Sequence, residues 1–252
     1  MEEAIIQVKD LRKRFGDVTA VDGISFRIAR GSITGLLGGN GAGKTTTISL
    51  LLGLLLPTSG EIRIMGVDML RNRHAALPRM NFSSPYVDLP FRLTVAENLT
   101  VYALLYGVSG VASRIRELAE ELEFADLLRR HYGQLSAGQR TRVALAKALL
   151  NEPEVLLMDE PTASLDPDMA DYVRQYLTAY QRRRGATILL ASHNMTEVER
   201  MCGDVIMLRA GSLVDRGAPR ELIARYGGKN LEEVFIAIAR QGEAGTRRRE
   251  AR

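Results

Sequence analysis

One short stretch of the sequence has the composition and spacing of a phosphate-binding loop. It consists of Gly38, Gly39, Asn40, Gly41, Ala42, Gly43, Lys44, Thr45 and Thr46, and it fits the pattern G-x-x-x-x-G-K-[ST]. An apolar run that predicts a strand precedes it, and a helical pattern follows. The glycines let backbone N–H groups converge on an anion, and the helix start adds a positive dipole end. We predict a nucleoside triphosphate here, with Lys44 at its β- and γ-phosphates and the Thr45 hydroxyl on Mg²⁺.

The alternative for this stretch is a glycine-rich turn that only leads into a helix. That alternative is disfavoured because it would leave Lys44, on the buried side of the loop, without a partner.

Two adjacent carboxylates, Asp159 and Glu160, follow the apolar run Val155–Met158. Neighbouring residues on a strand point to opposite faces, but at the strand's end the chain turns, and both can approach one site. Asp159 suits the shell of Mg²⁺, and Glu160 suits a base that orients and deprotonates an attacking water. A strand that ends in Asp-Glu is often only structural. Its combination with the phosphate loop is what predicts hydrolysis of a nucleoside triphosphate.

Composition limits the other classes of function. The chain has 252 residues, of which 46% are hydrophobic and 25% are charged, as in an ordinary globular protein. Its longest apolar run, Ile48–Pro57, is far shorter than the roughly 20 residues of a membrane span, and no signal peptide is evident. We therefore expect a cytoplasmic protein whose membrane role, if any, comes from a partner. The single cysteine, Cys202, excludes a disulfide framework and cysteine-rich metal sites.

The net charge of +4 comes in part from Arg182–Arg184 and from the basic tail TRRREAR. A basic tail can touch anionic lipid or nucleic acid, but a solvated, disordered end is the favoured interpretation.

Strand patterns alternate with helical patterns along most of the chain. The predicted strands are IIQVKDL, ISFRIA, ITGLL, EIRIM, RMNFS, VLLMDE and TILLAS, and DVIMLRAGSLVDRG predicts a hairpin around Ala210-Gly211. Between Thr94 and about Leu150 the pattern is helical, opening with a capping box of Thr94 and Glu97. We expect Asp166 to cap the helix after VLLMDE and Asn194 to form another capping box with Glu197.

This order predicts an α/β fold with a P-loop NTPase core, that is, a mainly parallel sheet with flanking helices, plus an antiparallel β subdomain and a helical insertion. The expected segments are a nucleotide-binding core with the β subdomain (1–93), the helical insertion (94–150), the remainder of the core (151–227), and a C-terminal helix, LEEVFIAIAR, with a disordered basic tail (228–252).

A second anion-binding helix start is predicted in the segment Leu135–Arg140, which reads LSAGQR and precedes the helical run RVALAKALL. Ser136 can cap that helix, so its hydroxyl and the following amides form a second anion-binding site. One nucleotide need not use both helix starts from the same chain. Two copies placed head to tail would let each γ-phosphate contact one loop of each kind.

The ordered motifs GGNGAGKTT, LSAGQ, LLMDEP, ASLD and SH resemble the ATP-binding cassette ATPases, the nucleotide-binding subunits of membrane transporters. The resemblance extends to about Gly217. It implies a dimer that closes on two MgATP, opens after hydrolysis and moves a membrane partner. It further implies that the signature residues contact the γ-phosphate bound to the opposite protomer; these are Ser136, Ala137, Gly138 and Gln139.

The resemblance gives three more residues a role. Asp166 would contact the opposite site, His193 would hold the hydrolytic geometry, and Phe15 would stack on adenine. For Phe15 a plain core role is the alternative, and for His193 a capping or core role.

Three departures from the family pattern stand out. Gly39 replaces a usual proline, Ala137 replaces the first glycine of the signature, and Pro85 falls where a glutamine belongs. Proline offers no side-chain ligand, so Ser84 is our hypothesis for the residue that takes this role at Mg²⁺. The alternative is that Ser83 and Ser84 are only turn residues and that the metal keeps an extra water. Either way, the departure concerns coupling to the partner more than hydrolysis.

The resulting prediction is an ATPase that powers transport through a separate transmembrane permease. A homodimer is the simpler expectation, at the cytoplasmic face of the inner membrane. The C-terminal LEEVFIAIAR resembles the ends of cassettes that pair with exporter-type permeases, although such a helix often only covers a core edge.

Two alternatives remain. A cassette ATPase acting on nucleic acid or the ribosome is disfavoured because this chain has one cassette, no sustained heptads and one cysteine, so no nucleic acid partner is expected. An inactive nucleotide-binding regulator is disfavoured because Glu160 and His193 are both present.

Overall fold

The computed structural model describes residues 3–84, 87–163 and 165–238. It contains two compact units: unit 1 comprises Met1–Arg71 and Leu190–Arg252, and unit 2 comprises Asn72–Leu189. Within the described ranges, no helix combines the length and the apolar character needed to cross a membrane. The basic tail lies outside the described residues, and the division into four segments stays a prediction.

Unit 1 contains an antiparallel sheet with the strand order β2-β1-β4-β5. Its strands are β1 (Ala4–Phe15), β2 (Val18–Ala29), β4 (Ser59–Ile64) and β5 (Val67–Asp68). Along β2 the residues Ile24, Phe26 and Ile28 are buried, whereas the residues before each of them, Gly23, Ser25 and Arg27, are exposed. This alternation is what a sheet with one covered face requires. The expected antiparallel subdomain is confirmed.

Unit 1 also contains parallel pairing between β3 (Ile33–Leu37) and β9 (Asp204–Arg209), and β9 forms a hairpin with β10 (Ser212–Gly217). The hairpin turn is Ala210-Gly211, as predicted. Both residues have positive φ, 46° and 79°, as a tight two-residue hairpin turn requires. The helices of unit 1 are α1 (Lys44–Leu51), α7 (Met195–Met201), α8 (Pro219–Tyr226) and a C-terminal helix over residues 231–238. The short α2 (Met69–Asn72) lies at the boundary between the units.

Unit 2 pairs β6 (Met80–Ser83) in parallel with β7 (Val155–Asp159). Every residue of β7 is buried, which is typical of a parallel strand covered on both faces. The helices are α3 (Val95–Leu105), α4 (Val111–Glu121), α5 (Ala137–Leu149) and α6 (Pro167–Arg184). Strand β8 (Thr187–Ser192) begins in unit 2 and ends in unit 1. The predicted mixed α/β class, with parallel and antiparallel sheets, is confirmed.

Side-chain caps fix where two of these helices begin. The Glu97 amide donates to Thr94 Oγ1 at 3.2 Å and the Thr94 amide donates to Glu97 Oε2 at 2.7 Å, so the capping box of α3 is confirmed. Asp166 Oδ1 accepts from the Met169 amide at 3.0 Å and confirms the predicted cap of α6. Both caps satisfy amides that have no partner inside their helix.

Candidate nucleotide-binding site

The phosphate loop connects β3 to α1 in unit 1, and its path is tightly constrained. The Ala42 amide donates to the Gly39 carbonyl at 3.1 Å. Gly43 has φ of +100°, and a Cβ added there would lie 2.5 Å from the carbonyl oxygen of Ala20. Only glycine fits this position. The loop leads directly into the amino end of α1, where backbone amides favour an anion.

Lys44 is buried at the first position of α1. Its ammonium donates to the Gly38 carbonyl at 2.6 Å and lies 3.4 Å from the Gly39 carbonyl. The expectation that this lysine would lack a partner without a nucleotide is therefore wrong, because the loop itself supplies one. Lys44 is held against the backbone that would surround a phosphate. Thr45 and Thr46 follow in the first turn of the helix.

Phe15 ends β1, and its side chain is 48% exposed, with the Lys13 ammonium 4.8 Å from the ring centroid. The alternative of a core role is therefore wrong. An exposed ring at the end of a strand is available for stacking on a base, and its contact with adenine stays a prediction.

His193 follows β8 in unit 1 and is exposed at a bend. The residues on either side of it are fixed by hydrogen bonds. Ser192 Oγ donates to the buried Glu197 carboxylate at 2.8 Å and accepts from the Asn194 amide at 3.0 Å. The Glu197 amide donates to Asn194 Oδ1 at 3.1 Å, which confirms Asn194 as the cap of α7. The second half of the predicted capping box differs, because the Glu197 carboxylate binds Ser192.

Asp159 and Glu160 occupy the carboxyl end of β7 in unit 2, and both side chains are buried. Glu160 has φ of +53°, a conformation that is uncommon for any residue with a Cβ. Its carbonyl accepts from the Ala163 amide at 3.2 Å, so the chain turns immediately after the strand. Such conformations cost free energy, and they cluster at functional sites. Five other described residues with a Cβ also have positive φ, among them Glu123 and Glu152, but of this set only Glu160 is buried.

The signature helix α5 begins as predicted. Ser136 Oγ accepts from the Gln139 amide at 3.3 Å, and Gln139 Oε1 accepts from the Ser136 amide at 2.9 Å. Ala137 takes the first position of the helix, and Gly138 takes the second. A helical position does not require the conformations that only glycine reaches. The replacement of glycine by Ala137 therefore leaves the local fold intact.

Ser84 follows β6 and lines a small cavity of about 120 Å³ together with Ala137 and Arg140 of α5. The structure thus brings Ser84 close to the signature helix within unit 2. Asp88, on the same loop as Ser84, lies 3.8 Å from the Arg140 guanidinium and lines the same cavity. Pro85 lies outside the described residues.

Sequence reasoning missed Lys147, which connects α5 to β6. Its ammonium donates to the Phe82 carbonyl at 3.1 Å, lies 3.4 Å from Asn81 Oδ1, and sits 5.5 Å from the Tyr102 ring. Burial lowers the pKa of Lys147 to about 8. A signal was available: Lys147 lies four residues after the buried Val143, so it shares the apolar face of the helix.

The loop between β3 and α1, with its buried lysine, and the acidic end of β7 define the class of this protein: it is a P-loop nucleoside triphosphatase. The family model described as ABC transporter matches residues 21–163. The chain belongs to this family of ATP-binding cassettes, whose ATP-binding proteins are ATPases coupled to transport.

Relatives and solved structures agree with the family. The chain is 40% identical over 238 residues to a Nod factor export ATP-binding protein I of Paraburkholderia xenovorans (strain LB400), covering 93% of this chain and 78% of the relative. A protein of the same name from Ralstonia nicotianae is 38% identical, covering 92% of this chain and 72% of the relative.

Among solved structures, an ATP-binding subunit of an ABC transporter superposes with a TM-score of 0.86 at 28% identity, covering 93% of this chain and 99% of that one. The cbiO1 protein of Clostridium perfringens, part of the transporter complex cbiONQ, gives 0.78 at 29% identity, covering 97% of this chain and 100% of that one.

Proposed function

We propose that this chain is the ATP-hydrolysing subunit of an exporter, which dimerises head to tail on MgATP and drives a separate membrane-spanning permease from the cytoplasmic face of the inner membrane. The observation that carries hydrolysis is Glu160, a buried carboxylate at positive φ directly after a buried strand. Export is supported by the names of the relatives, which are export ATP-binding proteins.

ATP binding is assigned to unit 1. The glycine-rich loop and the amino end of α1 supply amides and a dipole to the phosphates, and Lys44 supplies a positive charge. When a triphosphate enters, we expect the Lys44 ammonium to exchange its bond with the Gly38 carbonyl for phosphate oxygens. Phe15 offers an exposed aromatic face for the adenine.

The residues proposed for Mg²⁺ are Thr45, Asp159 and Ser84. All three offer hard oxygen donors, a hydroxyl or a carboxylate, which are the ligands that Mg²⁺ prefers, so the donor chemistry fits the ion. When bound, Mg²⁺ neutralises charge on the phosphates. Lys44 and Thr45 belong to unit 1, whereas Ser84, Asp159 and Glu160 belong to unit 2, so their joint action is part of this proposal.

Glu160 is assigned the base that orients the attacking water and accepts its proton, and His193 is assigned to hold the geometry of the water and γ-phosphate. In the head-to-tail dimer the capped start of α5, with Ser136, Ala137, Gly138 and Gln139, contacts the γ-phosphate held by the other protomer. Asp166 is assigned a contact with that same opposite site. Two equivalent sites make a homodimer the simpler assembly.

The experiment that tests this function uses tagged Glu160→Gln, which slows hydrolysis and keeps ATP bound. We expect the purified variant to double its mass with MgATP in light scattering and to capture a polytopic membrane protein from detergent-solubilised native membranes. Lys44→Ala should do neither. Glu61→Gln, the same change at an exposed strand position, should hydrolyse ATP like the wild type.

Two results would count against the proposal. Capture of ribosomes or nucleic acid without a membrane protein would favour the alternative class. A wild-type protein that does not hydrolyse ATP would contradict the proposed activity. A Glu160→Gln variant that is as active as the wild type would remove Glu160 from its assigned role.

A further inference from the structure

The C-terminal helix, residues 231–238, is anchored firmly on unit 1. Leu231, Val234 and Ile238 are buried at the spacing of one helical face. Hydrogen bonds hold both ends: the Leu231 amide donates to Glu199 Oε2 at 3.2 Å, and the Arg209 guanidinium donates to the Ile238 carbonyl. The helix therefore covers a core edge of unit 1.

This anchoring places Phe235 against the phosphate loop. A Cβ added at Gly39 would lie 3.6 Å from Phe235 Cζ, which is ordinary van der Waals distance. Phe235 and Ile238 also line a cavity of about 270 Å³ together with residues 39–42 of the loop. No other aromatic side chain lines this cavity among the described residues.

The contact matters because of the residue type at position 39. Gly39 imposes little restriction on the backbone, and a glycine-rich loop that must be ordered around phosphates loses conformational entropy on binding. A ring that lies beside Gly39 limits the space into which the same backbone can move.

We propose that Phe235 is a positioning residue for nucleotide binding: its ring restrains the phosphate loop at Gly39 and so makes the affinity for nucleotide depend on the C-terminal helix. The inference rests on the nucleotide site of the proposed function. It predicts that removing the ring weakens binding of any nucleotide whose phosphates enter the loop, because the loop must then be ordered at the expense of binding free energy.

The test compares Phe235→Ala with Ile236→Ala, a neighbouring and exposed apolar side chain on the same helix. Binding of MgADP to the full-length chain is measured by calorimetry, since ADP requires the phosphate loop without a closed dimer. We expect Phe235→Ala to raise Kd for ADP and KM for ATP by about three- to tenfold, with kcat at saturating ATP unchanged. Ile236→Ala should match the wild type.

Thermal unfolding establishes that each variant is folded. If Phe235→Ala does not fold, Phe235→Leu replaces it, because leucine keeps apolar volume but lacks the Cζ atom that reaches Gly39; a Kd raised about threefold is then expected. Unchanged Kd in the folded variant would overturn the inference, as would an equal rise in Ile236→Ala. A wild type that binds no nucleotide would refute the proposed function itself, and the inference with it.

Discussion

Replacing Lys147 by methionine is expected to change how the stability of the protein depends on pH. The lysine joins the signature helix α5 to the end of β6 through the Phe82 carbonyl, and burial lowers its pKa from 10.5 to about 8. In the unfolded chain the ammonium is fully solvated. Between these two pKa values the unfolded state therefore binds more protons than the folded state.

The sign of the effect follows from proton linkage. When the unfolded state binds more protons, the free energy of unfolding rises with pH. The contribution of Lys147 to the free energy of unfolding is lowest below a pH of about 8, where its ammonium is charged in the folded protein. This contribution rises as the pH approaches 10.5, the pKa of the lysine in the unfolded chain. With the pKa of 10.5 falling to about 8, the wild type should gain about 2 kcal/mol between pH of roughly 7 and 9.5. Tyr106, which bonds Asn81 beside the ammonium, stays neutral there because its pKa is raised to about 12.

The assay is urea unfolding of the wild type and Lys147→Met at several pH values across this window. The free energy of unfolding of the wild type minus that of Lys147→Met should increase by about 2 kcal/mol as the pH rises, since other groups titrate alike in both proteins. Lys9→Met, at an exposed lysine of β1, is the control and should show no such trend. A pH-independent difference for Lys147→Met would show that the ammonium is solvated and would refute the reasoning.

Three further predictions follow from local geometry. Gly43→Ala should destabilise the protein by more than about 2 kcal/mol and abolish ATP binding, because the new Cβ would lie 2.5 Å from the Ala20 carbonyl oxygen. The control Gly203→Ala, whose Cβ has no atom within 4 Å, should lower the free energy of unfolding by under about 0.5 kcal/mol in thermal unfolding. Equal effects of the two changes would contradict this account. Thr94→Ala should remove about 1 kcal/mol with the capping box of α3, lowering Tm by roughly 2–4 °C, and an unchanged Tm would show that the cap is not stabilising. Glu197→Ala should lower kcat for ATP about tenfold without changing Kd for ADP, because the Ser192 hydroxyl, next to His193, then loses its acceptor. Glu232→Ala, at an exposed position, is the control. An unaltered kcat in Glu197→Ala would show that the Ser192–Glu197 hydrogen bond does not position His193.

The features that could be predicted from the sequence are those decided by a few neighbouring residues. Asp166 and Ser136 each sit three residues before an amide that they cap, so the helix starts follow from local chemistry. The apolar run Val155–Met158 predicts a buried strand because no polar face interrupts it. The turn at Ala210-Gly211 follows from glycine between two strand patterns.

The contacts that could not be predicted join residues far apart in the chain. Phe235 lies beside Gly39 because the C-terminal helix returns to the phosphate loop, and no periodic pattern encodes that approach. Glu197 was expected to face Asn194, but the Ser192 hydroxyl, nearer the strand end, offers its carboxylate a buried donor. A buried carboxylate takes the partner that best offsets its desolvation, and the pattern N-x-x-E at residues 194–197 does not rank such partners.

The absence of a glutamine at position 85 bears on one of the residues proposed for Mg²⁺, Ser84. Ser84 is buried in unit 2, which also carries the signature helix α5. A serine side chain is shorter than that of glutamine. For Ser84 to bind Mg²⁺ in place of a glutamine, its loop would therefore have to lie closer to the ion. The loop has another attachment to α5, because Asp88 pairs with Arg140, whose guanidinium also lies 5.0 Å from the Phe91 ring centroid. In the proposed function, hydrolysis is assigned to Lys44 and Glu160, so we expect the departure at Pro85 to leave hydrolysis unchanged.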